Sequence, residues 1–159
     1  MSADRLLVAV FASPVSEVLV RWADELGFRT VLVEPDAARV PAGFSADVVP
    51  GFAHLDDDLA GGNADVVVTD HYRAELGELM RDALARPIRW IGVLGNPRHA
   101  GPHVAALTEL GVAPEQIARV HRPIGLDIGS RQPAEIALST LAGLLADRSG
   151  RSGGFAHGG

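Results

Sequence analysis

Short runs of β-branched and other apolar residues alternate along the chain with longer stretches in which apolar side chains recur every three or four positions. The first pattern marks strands buried on both faces of a sheet, and the second marks helices with one face against it. Their alternation predicts βαβ crossovers and a parallel sheet. Strands are expected over residues 5–10, 29–34, 46–49, 64–69, 89–94 and 118–121. Six strands joined this way fit the order 3-2-1-4-5-6, an α/β, doubly wound, mostly parallel sheet with helices on both faces.

Ser13 can cap a helix, Pro14 suits its first position, and Gly27 stops it after Leu26. Val15, Val18, Leu19, Trp22 and Leu26 form the stripe expected to pack on the sheet. A second helix is predicted over 73–85, with Leu76, Leu79, Met80 and Leu84 inward. A third starts at Pro102 and stops at Gly111, and the last covers 133–147 through Ile136, Leu138, Leu141 and Leu145. The run Asp56, Asp57, Asp58 lacks the ligand spacing of a calcium loop and reads as a solvated helix start.

A chain of 159 residues with 47% hydrophobic content suits one core. The expectation is one domain over 1–148 and a Gly/Ser-rich, disordered tail over 149–159. The apolar runs are too short to cross a bilayer and the start lacks the pattern of a secretory signal, so a cytoplasmic protein without a membrane partner is expected. There is no cysteine, which excludes disulfides, thiolate metal ligands and a thiol nucleophile on this chain. All 14 basic residues are arginine, so a Schiff-base lysine and a phosphate-loop lysine are absent too. A net charge of −6 without a basic run argues against nucleic acid as a partner.

Ligands of such sheets lie beyond the carboxyl ends of the strands, where the strand order reverses. After the first strand a dinucleotide site needs G-x-G-x-x-G so that the pyrophosphate can reach backbone amides. Here the slot reads Phe11, Ala12, Ser13, Pro14, Val15, Ser16, which leaves Ala12 and Ser13 as the candidate anion contacts. Glu34, at the end of the second strand, stands where an acid commonly holds ribose hydroxyls, or else caps the local chain. Thr69, Asp70 and His71 bring a hydroxyl, a carboxylate and an imidazole together after the fourth strand, for ligand contact or for capping the next helix. Gly95, Asn96 and Arg98 form the loop best suited to an anion. His99 and His103 are four apart, but Gly101 and Pro102 place a helix start between them, so no metal site is expected. In the stretch from Gly125 to Gly129, Leu126 and Ile128 are expected to anchor the loop while Asp127 points the other way, to ligand or to backbone amides. No nucleophile stands near any of these groups, which leans the reading toward binding rather than catalysis.

The sequence Pro123-Ile124-Gly125-Leu126-Asp127-Ile128-Gly129, followed by Pro133-Ala134-Glu135-Ile136-Ala137-Leu138-Ser139, resembles the closing signature of the Rossmann domain in the XdhC/CoxI family of molybdenum-hydroxylase maturation factors. Trp90 to Gly95 is similar to the preceding strand of that family, Arg98 falls in its basic turn, and Leu26-Gly27-Phe28-Arg29 with Glu34-Pro35 resembles its first βαβ unit. The resemblance implies a Rossmann-like accessory factor that binds molybdenum cofactor in a molybdopterin nucleotide form. It would help the cofactor's sulfuration and hand it to a xanthine dehydrogenase or carbon monoxide dehydrogenase-type apoenzyme. Full-length members carry an N-terminal domain with a cysteine, so a separate XdhC/CoxI-type N-terminal subunit is implied as a partner of this stand-alone form, together with the apoenzyme; a homodimer is also expected. The expected cofactor contacts are Ala12, Ser13, Glu34, Thr69, Asp70, His71, Gly95, Asn96, Arg98, Gly125 and Asp127, with a phosphate between Ser13 and Arg98. Two alternatives stand beside this reading. One is an NAD(P)- or FAD-binding oxidoreductase, although Tyr72 is the single tyrosine and no lysine could complete a proton-donating pair. The other is an interaction or regulatory module whose nucleotide site has degenerated.

Overall fold

The computed structural model describes residues 4–95, 98 and 101–155. Six strands, β1 (Arg5–Val10), β2 (Phe28–Val33), β3 (Asp47–Val49), β4 (Ala64–Val68), β5 (Trp90–Val93) and β6 (Val120–His121), form one sheet in the order β3-β2-β1-β4-β5-β6. Every pairing is parallel, and the order reverses between β1 and β4 as the periodicity predicted. The helices are α1 (Pro14–Glu25), α2 (Asp56–Leu59), α3 (Leu76–Leu84), α4 (Pro102–Glu109), α5 (Pro114–Ile117) and α6 (Pro133–Arg148). Two 3₁₀ turns, Ala37–Arg39 and Phe52–Leu55, complete the described elements. Among the described residues no helix is long and apolar enough to cross a membrane.

Side chains alternate between the two faces of the sheet. Val8, Val10, Val31, Val33, Val66 and Val68 meet α3, Leu107 of α4 and the Phe52–Leu59 segment, whereas Leu7, Ala9, Leu32 and Val67 meet α1 and α6. Both faces are covered, so the strands read as continuous apolar runs.

Three expected strand ends fall one residue short, because Glu34, Thr69 and Leu94 leave the extended path to enter loops. Each still donates its amide to the neighbouring strand, to Val49, Val10 and Val68 in turn. The helix expected from Arg73 begins at Leu76, since Arg73 turns inward to meet Glu34. In α1 the centre of the buried face is Ser16, Leu19, Val20 and Ala23. Val15, Val18 and Trp22 lie at its margin and Leu26 is exposed, a correction to the expected stripe. Small residues at 16 and 23 let this helix close on the sheet, and the bulkier ones lie toward its sides, where α6 packs alongside. In α6, Leu141 is buried as expected, but Leu138 is 53% exposed and Ala137 and Leu144 carry the contact instead. This helix is apolar nearly all round, so periodicity alone could not choose its buried face.

At the amino end of the sheet the fully buried Asp65 accepts from Arg89 Nε (2.6 Å) and Arg148 Nε (2.8 Å), while Arg148 also donates to Asn63 and Arg89 to Asp147. This cluster ties the end of α6 to β4 on the side of the sheet away from the candidate site.

Candidate functional site

Where the strand order reverses, the carboxyl ends of β1, β2 and β4 bring Ala12, Ser13, Glu34 and Thr69 together, and their polar groups satisfy one another. Glu34 is 2% exposed. Its Oε1 accepts from the amide of Ala12 (2.9 Å) and from Arg73 Nη1 (2.7 Å), and its Oε2 accepts from the amide of Asp36 (2.9 Å) and from Arg73 Nη2 (2.8 Å). Both oxygens are saturated. Burial by itself would raise the pKa of this carboxyl, but the Arg73 guanidinium and the two amides outweigh it and hold the group below the usual range. The same pairing, with help from Glu75, raises Arg73 against its own desolvation.

Phe11 completes this knot. It stands at φ +76°, a left-handed conformation that favours glycine, in the slot of the first fingerprint glycine. Its ring is wholly buried, and the Arg73 guanidinium lies over it 4.4 Å from the centroid. Ser13 caps α1 as expected: its Oγ accepts from the amide of Ser16 (3.1 Å) and donates to Thr69 Oγ1 (2.9 Å), while its own amide donates to Ser16 Oγ (2.8 Å). Thr69 Oγ1 in turn lies 3.0 Å from the carbonyls of Val10 and Phe11.

Asp70 and His71 sit further along the same edge. The Asp70 carboxylate accepts from the amide of Tyr72 (2.9 Å), so it closes its own turn, and Tyr72 is 85% exposed. His71 Nδ1 lies 3.0 Å from the carbonyl of Leu94, which requires the proton on that nitrogen and leaves Nε2 as the second ring nitrogen.

On the β5–β6 side, the Arg122 guanidinium lies against Gly95, 2.5 Å from where a Cβ would stand. Arg98 is exposed in a turn, and Asn96 and His99 lie outside the described residues. His103, in the first turn of α4, is 6% exposed, and its Nδ1 has no hydrogen-bond partner. Burial, and then the Arg122 charge, push its pKa down, so the ring is neutral near pH 7. Among the described residues no group of three or more His, Asp or Glu side chains is placed to hold a metal ion.

The 125–129 loop is held on α6 through Leu126, whose side chain is half-buried and whose backbone meets Ser139. The Leu126 amide donates to the Ser139 carbonyl (3.2 Å), and Ser139 Oγ donates to the Leu126 carbonyl (2.7 Å). Gly125, at φ +87°, faces Gly143 so closely that an added Cβ at Gly143 would lie 3.2 Å from its Cα. Ile128 is 53% exposed, which corrects its expected anchoring role. Asp127 is exposed as well, and none of the described residues hydrogen-bonds its carboxylate. A cavity of about 240 Å³ opens between this loop and α6, with the stacked pair Trp90 and His121 (centroids 5.1 Å apart) on one wall.

The sequence shows no sign of Arg73 or Arg122 at this edge, and His103 enters it only beside His99 in a metal pair that is not expected. A buried arginine makes no periodic mark, and its partner Glu34 stands 39 residues away. The one available signal was the pairing of a glycine-free first loop with an acid at position 34.

The model of the XdhC Rossmann domain family matches residues 7–144. The chain is 40% identical over 78 residues to YqeB of Escherichia coli (strain K12), a match covering 49% of this chain and 14% of that protein. A Bacillus halodurans crystal structure described as a xanthine dehydrogenase superposes with a TM-score of 0.73 at 25% identity, covering 93% of this chain and 46% of that one. The chain therefore spans less than half the length of each of these relatives.

Proposed function

We propose that this chain, which belongs to the XdhC Rossmann domain family, is an accessory factor that binds molybdenum cofactor in a nucleotide form and serves the maturation of a molybdenum hydroxylase. Family membership over residues 7–144 is the observation that carries an accessory role beside such enzymes. The finer reading, that the cofactor itself docks here, rests on the chemistry of the exposed and half-buried groups at the carboxyl edge. Molybdopterin nucleotides offer phosphates, ring amides and ribose hydroxyls. Arg98 supplies a cation for phosphate, and Asp70, His71 and Asp127 supply acceptors and a ring nitrogen for polar groups. One donor and three acceptors suit the group. The cofactor, when bound, carries the redox chemistry of the enzyme it is delivered to; this chain's part is to bind and orient it. Because the chain has no cysteine, sulfur for the cofactor is supplied by a partner.

A thermal-shift panel tests this reading. Molybdopterin cytosine or guanine dinucleotide at about 100 times its Kd adds about 2.7 kcal/mol to the native state and raises the midpoint, and Arg98→Ala weakens the effect. Failure to respond to any molybdopterin species, together with failure to associate with a molybdenum hydroxylase apoenzyme, rejects the proposal.

A further inference from the structure

We infer that Phe11, Glu34 and Arg73 are specificity determinants that close the Rossmann crevice to nicotinamide and flavin dinucleotides, so that the ligand of this domain is held from the β4, β5 and β6 loops without help from the β1 loop. A dinucleotide seated in such a fold makes two demands on this region: free backbone amides at the start of α1 for its pyrophosphate, and a free acid after β2 for its ribose. Neither is met. Between residues 11 and 17 the amide of Phe11 donates to Val33, that of Ala12 to Glu34, that of Ser13 to Ser16 Oγ, that of Ser16 to Ser13 Oγ and that of Glu17 to the Ser13 carbonyl, while Pro14 has none. Each Glu34 oxygen already accepts two hydrogen bonds, and the side chain is 0% exposed. The volume that the fingerprint glycines would leave open holds the Phe11 ring and the guanidinium stacked on it. A nicotinamide or flavin dinucleotide could seat its ribose on Glu34 and its pyrophosphate along the β1 loop only by breaking a buried bidentate ion pair.

The closure is built from three mutually dependent parts. Phe11 at φ +76° turns its ring inward under Arg73, Arg73 neutralises the carboxylate, and the carboxylate takes the Ala12 amide that a pyrophosphate would need. The nicotinamide and flavin oxidoreductase alternative thereby loses its binding site. The inference stands independently of the molybdenum cofactor proposal, whose readout is Arg98.

Isothermal titration of the wild-type protein with NAD⁺, NADP⁺ and FAD, each to about 1 mM, is expected to give no saturable binding. In parallel, the amide resonances of Ala12 and Ser13 are expected to hold their positions and slow exchange when the three are added. Saturable binding that shifts those two amides overturns the inference. The double variant Phe11→Gly with Arg73→Ala empties the space and frees Glu34; once shown by circular dichroism to be folded, it is expected to bind NAD⁺ at least about tenfold more tightly than wild type. A folded double variant with no gained affinity for any of the three overturns the assignment of these residues as the barrier. If the double variant does not fold, the wild-type amide measurement decides alone.

Discussion

Replacing Arg73 by methionine removes one half of the buried ion pair and leaves the other. In the native protein the two side chains are 6% and 0% exposed and meet through two hydrogen bonds of 2.7 and 2.8 Å. In Arg73→Met the Glu34 carboxylate keeps only the amides of Ala12 and Asp36, inside an apolar surround that includes Phe11. Breaking a buried pair from one side costs about 3–5 kcal/mol, a large part of the roughly 5–15 kcal/mol that holds a domain together. With an m-value of about 2 kcal/mol/M, the urea midpoint at pH 7 should fall by roughly 2 M. The loss should also depend on pH with a defined sign. In the wild type the Glu34 pKa is lowered, so its stabilisation is present above about pH 4.3 and is lost as pH falls through the depressed value. In the variant, burial is no longer opposed by the guanidinium, the folded-state pKa rises above the unfolded one, and the deficit shrinks as pH falls from 7 toward 5. Combining Arg73→Met with Glu34→Gln should cost less than the sum of the single changes by about 2 kcal/mol or more. A single-variant cost below about 1 kcal/mol, or a deficit that does not change with pH, would refute the view that this pair is a buried, mutually dependent unit.

Three further outcomes are expected. Gly125→Ala combines a φ of +87° with an added Cβ 2.5 Å from Ser139 Oγ, and should lower stability by about 1–3 kcal/mol in denaturant titration, whereas Gly129→Ala, with open space around it, should cost only the smaller strain of its φ. Lowering the pH from about 7.5 to 5.5 should reduce stability in part through His103, whose pKa is depressed by burial and then by Arg122, so that the unfolded chain binds the proton first; His103→Gln should flatten the stability curve over that interval. Arg148→Ala leaves buried Asp65 with Arg89 alone and removes the direct link from α6 to β4, keeping only the bridge through Arg89 and Asp147, which should cost about 1–3 kcal/mol and appear first as faster amide exchange at the end of α6.

Much of the architecture was legible because it follows from side-chain periodicity and backbone chemistry. Buried parallel strands must be apolar on both faces, which marked β1, β4 and β5 almost to the residue. Ser13 and Pro14 announced the start of α1, and Pro133 the start of α6. Elements too short to repeat a pattern escaped: α5 has four residues, and no period can be read from one turn. In α6 the trouble was the reverse, since an apolar helix with Leu138 and Leu141 on different faces offers no contrast by which to orient it.

The candidate site divides along the same line. The edge on which it is sought follows from the strand order, because parallel crossovers force the loops after β1, β4, β5 and β6 onto one side of the sheet. Its chemistry does not. Whether Glu34 meets a ribose or an arginine depends on residues 39 positions apart being folded against each other, and only a desolvated contact makes that pairing strong enough to hold. Local pattern therefore determined the elements, their order and the edge where a ligand belongs. Tertiary packing alone decided which polar groups on that edge remain free for a ligand and which are spent on holding the crevice shut, because burial and long-range partners, not residue type, set what a side chain can still bind.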